Sequence, residues 1–90
     1  MLEEQELIQQ VSAGDPAARE VFFRLYQPQL LRTSMYFLGA EEADVDGVVA
    51  ATFHYALPRL KDQDFEQPIY SFLRQICLRL CHIQRCLRQG

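Results

Sequence analysis

The chain has 90 residues, 49% of them hydrophobic, with six Phe and four Tyr. That length is one domain's worth, and that much apolar side chain can close a core, which argues against intrinsic disorder. No apolar run reaches eighteen residues, so no membrane span is expected. The acidic start Glu3-Glu4-Gln5-Glu6 lacks the basic-then-apolar order of a signal peptide, and the expected location is the cytoplasm. The net charge of −3 conceals an asymmetry. Residues 1–50 hold nine acids against three arginines, whereas residues 51–90 hold three acids against six bases. From Gln67 onward there is no acid at all, while Arg74, Arg79, Arg85 and Arg88 are present. Such a dipole suits a domain with one face for an anion and another for a basic or neutral partner, although uneven charge also simply solvates a small domain.

Apolar spacing predicts helix throughout. Leu7, Ile8 and Val11 mark one face of a first helix, which Gly14 ends in the C′ position. Asp15-Pro16 restarts the chain, with Asp as N-cap and Pro at the first helical position. A second helix carries Ala18, Val21, Phe22, Leu25 and Tyr26, and Pro28 is expected to break or kink it, because proline removes a donor and crowds the preceding turn. A third runs from about Gln29 to Leu38 and stops at Gly39. Glu41, Glu42 and Asp44 favour the start of a fourth through the helix dipole. Its buried stripe is Val45, Val49, Thr52, Phe53 and Ala56, and Pro58 disturbs its last turn. A polar connection from Lys61 to Gln67 leads to a final helix opening at Pro68. There Ile69, Phe72, Leu73, Ile76, Leu80, Ile83 and Leu87 fall on one side. The predicted fold is all-α, a compact bundle of four to five helices in a single domain over residues 1–90.

Few residues invite catalytic chemistry. There is no glycine-rich phosphate loop, no nucleophile elbow and no setting that would bury paired carboxylates, so neither catalysis nor a cofactor is expected. Cys77, Cys81, His82 and Cys86 are the densest set of metal-ligating side chains. On one continuous helix Cys77 and Cys81 share a side while His82 and Cys86 face elsewhere, so two can converge but not the four that zinc needs. Cys77 and Cys81 are therefore expected to be reduced and metal-free. Arg74, Leu78, Cys81 and Arg85 lie opposite the expected core stripe of the final helix, with Arg88 at one edge and Arg79 at the other. Arginines without competing acids suit phosphate contact, and they equally suit a solvated helix C-terminus. Tyr70, at the head of that helix, is an aromatic surface on which an unstacked base can lie. The outward face of the fourth helix reads Gly47, Ala50, Ala51, His54. Exposed helix faces are usually charged, and one made of small residues lets another helix approach closely.

The order of these segments resembles the helical domain, region two, of sigma factors of the extracytoplasmic-function type. The pieces that carry the resemblance are Glu6-Leu7-Ile8 through Ala13-Gly14-Asp15-Pro16-Ala17-Ala18, Phe22 to Tyr26, Pro28 and Leu30. They continue with Leu38-Gly39, Glu41 to Asp46, Val48-Val49, Thr52-Phe53 and Pro68 to Ile76. The resemblance implies promoter minus-ten recognition by the final helix and the loop before it, with Tyr70, Arg74, Arg79, Arg85 and Arg88 as the DNA-binding set. It also implies docking of the fourth helix on the clamp of core RNA polymerase. The family usually has an acid, a glutamine and an acid where this chain has Gly47, Ala50 and Ala51. A tryptophan of the family stands at Phe72, an arginine-asparagine pair at Leu78-Arg79 and an aspartate at Ile83. No counterpart of the family's second promoter-binding domain falls within these residues. Two functions follow: a promoter-binding sigma domain, or a sigma-like module that binds an anti-sigma factor or another helical protein through Gly47, Ala50, Ala51 and His54.

Overall fold

The computed structural model describes residues 4–39, 44–62 and 68–89, with side chains through Leu87. Four α-helices lie among them: α1 (Glu4–Ser12), α2 (Pro16–Leu38), α3 (Val45–Ala56) and α4 (Ile69–Gln89). A 3-10 stretch, Leu57–Asp62, continues from α3. The described residues contain no strand, and the domain measures 41 × 21 × 19 Å. The all-α bundle is thus the fold observed. The expected role of Glu41 and Glu42 in starting α3, and most of the expected polar connection, fall outside the described residues.

The turn between α1 and α2 forms as its residues dictate. Gly14 takes φ 91°, and the amides of Asp15 and Gly14 donate to the carbonyls of Gln10 and Val11. That pair of bonds is the Schellman closure, which needs a residue at ease with positive φ. Asp15 Oδ1 then accepts from the amides of Ala17 and Ala18, at 3.0 and 3.4 Å, with Pro16 opening α2.

Pro28 does not break α2, contrary to the sequence expectation. The helix runs unbroken for 23 residues. Pro28 and Arg24 are both exposed, so the carbonyl of Arg24 that loses its helical donor lies on the wet side of the helix. Buried side chains anchor the helix on either side of the proline, Phe22 before it and Leu30, Ser34 and Leu38 after it.

The face that α2 buries also departs from expectation. Val21 and Leu25 are 46% and 52% exposed, while Ala18, Phe22, Leu30, Ser34 and Leu38 are buried and Tyr26 is half-buried. Residues four apart advance by 400°, so this row creeps around the helix by about 40° per step. Its first half meets α3, where Phe22 and Phe23 pack on Phe53 at ring-centroid distances of 5.8 and 4.7 Å. Its second half meets α4, where Ser34 Oγ and Cys77 Sγ share a hydrogen bond at 3.2 Å.

The core row of α4 is rotated in the same sense. Ile69, Leu73, Cys77 and Cys81 are buried, whereas Phe72, Ile76 and Leu80 are only half-buried. Ile83 and Leu87 are 47% and 71% exposed. Cys81, expected opposite the core, is inside it, with its thiol pushed up in pKa by burial and by Cys77 alongside. Rows at four-residue spacing are the ridges that interlock where helices cross obliquely. The expected stripe assumed a partner running straight along α4. In α3, by contrast, Val45, Val49, Thr52, Phe53 and Ala56 are all buried as expected, joined by Val48.

Ties to neighbouring elements hold α4 in place along its length. Glu4 of α1 accepts from the amide of Ile69 at 3.0 Å, capping the first turn of α4 with a carboxylate where the helix dipole favours one. Ser34 and Cys77 meet at its middle, and Gln84 donates to Asp44 at the head of α3. Glu4 also accepts from the Tyr26 hydroxyl at 3.4 Å.

Two measurements check this packing. Leu73→Ala should cost about 2–5 kcal/mol in urea melts, and Ile83→Ala less than about 0.5 kcal/mol. The reverse ranking would restore the straight stripe. Burial first, then the Glu4 charge and hydrogen bond, push the Tyr26 phenol from 10.0 up to about 12. The unfolded chain gives up this proton before the folded one does. Stability that is complete below pH 10 is therefore lost as the pH rises towards 12. Tyr26→Phe should flatten this alkaline decline.

Candidate nucleic-acid interface

The residues expected to bind DNA lie on two sides of α4. Arg74 and Arg85 are exposed and eleven positions apart, close to three turns, so they stand on one side about 16 Å apart. Arg79 is exposed on the other side. The Arg88 side chain lies outside the described residues. Tyr70 is half-buried, and its hydroxyl shares a hydrogen bond with Thr33 Oγ1 of α2 at 3.2 Å. Its ring packs partly against the core and is only in part available as a stacking platform.

The aromatic surface sits instead on the Arg79 side. A groove of about 490 Å³ runs between α4 and the junction of α3 with the 3-10 stretch. Ile76, Leu80 and Ile83 form its apolar floor, Phe72 and Tyr55 bring rings to it, and Arg59, Arg79 and Gln75 supply its polar atoms. None of the described lining residues is acidic. Arg59 donates to the carbonyl of Tyr55, and its guanidinium carbon lies 5.8 Å from the centre of the Tyr55 ring. At that distance the cation gains from the ring face. The guanidinium is thereby held over the Tyr55 ring, a cation and an aromatic group fixed within one groove.

Sequence reasoning missed Tyr55 and Arg59. Their signal is an i, i+4 pair, but Pro58 between them reads as the end of the helix. The chain in fact tightens into 3-10 geometry from Leu57 and carries Arg59 on, with Leu60 buried beneath. Phe72, expected in the core, is half-buried at the groove because the core row of α4 is rotated.

The small-residue face of α3 is placed as expected at three of its four positions. Gly47, Ala50 and His54 are exposed, and Ala51 is half-buried. Ala50 and His54, with Gln27 and Asp46, rim a second groove of about 610 Å³ whose floor is Phe23, Val49, Phe53 and Leu57. Gly47 has a helical φ, and a Cβ added there would meet nothing within 4 Å. Neither backbone conformation nor packing asks for glycine at this position.

Among the described residues, no three His, Cys, Asp or Glu side chains are grouped to hold a metal ion, and no helix is long and apolar enough to cross a membrane. Cys77 and Cys81 are buried free thiols, and Cys86 is an exposed one. No protein-family model, no curated protein and no solved structure matches the chain.

Because glycine in a helix interior costs about 0.5–1 kcal/mol relative to alanine, Gly47→Ala should stabilise the isolated domain by that amount. Thermal or urea melts decide the matter, and a loss of stability would mean that an unseen neighbour occupies the space.

Proposed function

We propose that this chain is a sigma-like transcription module of the cytoplasm that binds single-stranded promoter DNA along α4. The observation that carries this reading is the groove in which Tyr55, Phe72, Arg59 and Arg79 lie together, with no acid among its described lining residues. Phosphate contact supplies affinity in proportion to the cations that reach the backbone, and stacking on aromatic rings adds about 1–3 kcal/mol per base. Arg74 and Arg85, on the far side of α4, extend the positive surface that guides a strand towards the groove. No catalytic step enters this reading.

A second reading rests on the α3 face. A glycine that its own fold does not require, beside exposed Ala50, leaves room for another helix backbone to approach. With no polar side chain at Gly47, Ala50 or Ala51, clamp docking of the kind that the resemblance implies has few hydrogen bonds to use. A helical protein such as an anti-sigma factor would instead gain apolar burial of about 25 cal/mol per Å² before binding costs are subtracted.

The two readings separate in binding assays. The log affinity for a promoter-like single strand should fall with log salt, and the Arg59→Ala, Arg79→Ala pair should reduce that slope by about 1.4, at about 0.7 per lost contact. Phe72→Leu, which keeps an apolar side chain but removes the ring, should weaken binding without changing the slope. Identical isotherms for wild type and all these variants would remove the groove from the account. Ala50→Arg should abolish capture of a helical partner while leaving DNA binding intact. Tight binding of the unmodified domain to core polymerase, insensitive to Ala50→Arg, would sink the partner reading.

A further inference from the structure

The far end of α4 carries a pair that neither reading uses. His82 and Cys86 are four residues apart, both exposed, with Cys86 Sγ 3.7 Å from His82 Nε2. We propose that they form half of a zinc-class metal site, completed by the same two residues of a second copy of this chain. The proposal stands apart from the transcription reading and does not need it.

The geometry fits the metal before the metal arrives. A thiolate sulfur about 2.3 Å and an imidazole nitrogen about 2.0–2.1 Å from a tetrahedral zinc stand about 3.6 Å apart. The observed 3.7 Å already spans that edge of the tetrahedron. Nitrogen and sulfur are the ligand types that borderline-soft divalent ions select over carboxylate-bound magnesium or calcium. Cys86 lies in the last turn of α4, where the partial negative charge of free carbonyls favours a cation. The other two thiols cannot compete, since Cys77 and Cys81 are buried in the core.

Two ligands leave a tetrahedral ion half bound, and the described residues of one chain offer no third nearby. A two-fold contact between copies supplies the same two again, because such an interface presents one patch to itself. Two features of the surface favour that occupant. Ile83 and Leu87, large apolar residues 47% and 71% exposed, stand about 100° further round the helix from the pair, where a crossing second helix would cover them in part and compete with a strand in the groove for Ile83. Two thiolates also balance the charge of a divalent ion, so the filled site adds no net positive charge beside Arg79 and Arg85. Both ligands must be unprotonated, so uptake displaces the thiol proton and loads best where the imidazole is neutral. The expectation that this helix holds no metal considered four ligands within one chain. Sharing the ion between two chains removes that obstacle.

The test uses the full 90-residue chain, reduced with a phosphine and freed of metal. It is titrated with Co2+, whose thiolate charge-transfer absorption reports sulfur ligation, and then with Zn2+, while light scattering follows the mass. Expected are uptake of about half an equivalent per chain, a doubling of mass and protection of Cys86 from thiol labelling. Cys86→Ser and His82→Ala should each lose all three while keeping the helical circular dichroism of the parent, since both side chains are exposed. Leu87→Glu should keep the ligands but shift the metal-dependent dimer to higher protein concentration. Uptake of a full equivalent without a change in mass, retention of uptake in Cys86→Ser, a reduced dimer without metal, or no stoichiometric uptake would each overturn the proposal.

Discussion

The hydrogen bond between Ser34 and Cys77 marks the place on which the bundle depends. Both side chains are small and buried, so α2 and α4, the two longest helices, approach closely at that point. A buried hydroxyl must find a partner, and the thiol supplies one without widening the gap as a larger polar group would. The bond is modest in energy, but it fixes which residues of each helix meet. With the crossing set there, the buried rows Leu30-Ser34-Leu38 and Leu73-Cys77-Cys81 lie against each other, and every other exposure on α4 follows.

The groove is one such consequence. Rotating the core row of α4 towards the cysteines turns Phe72, Ile76 and Leu80 partly outwards, where they meet the end of α3. The 3-10 stretch then brings Arg59 alongside, where it donates to the Tyr55 carbonyl and lies over the Tyr55 ring. On the opposite flank, Tyr70 is tied to Thr33, and Arg74 and Arg85 stand exposed. Charge thus lies on two sides of α4, and one of them borders the groove.

Local chemistry was legible in the sequence wherever it decided the outcome by itself. Gly14, Asp15 and Pro16 specify a helix stop and a helix start within three residues, and they form both. The stripe of α3 could be read because its buried positions, Val45, Val49, Thr52, Phe53 and Ala56, keep three- and four-residue spacing along one side of a short helix. The long helices were harder for a common reason. Along α2 the buried row winds from the α3 side to the α4 side, so a single fixed face misplaces Val21 and Leu25. Along α4 the isoleucines and leucines occupy both the core row and its flank, and cysteine, the residue that distinguishes them, reads equally well as buried or exposed. Pro28 was read from its local cost, which is real, while the burial of Phe22, Leu30, Ser34 and Leu38 that outweighs it depends on the helices packed against them. Of the proposed interface, Arg74, Arg79 and Arg85 could be named from charge alone. The pairing of Arg79 with Tyr55 and Arg59 required the fold.

The placing of Cys77 and Cys81 gives the molecule a built-in gauge of its own fluctuations. Both thiols are shut within the α2–α4 seam, and a reagent in solvent reaches them only when that seam opens. The rate at which they are modified under native conditions thus reports the free energy of parting these two helices, separately from fraying at the ends of the chain. Opening that matched global unfolding would make the seam part of the last structure to yield. Opening at lower energy would make α4 a detachable element whose docking a bound strand or partner can strengthen.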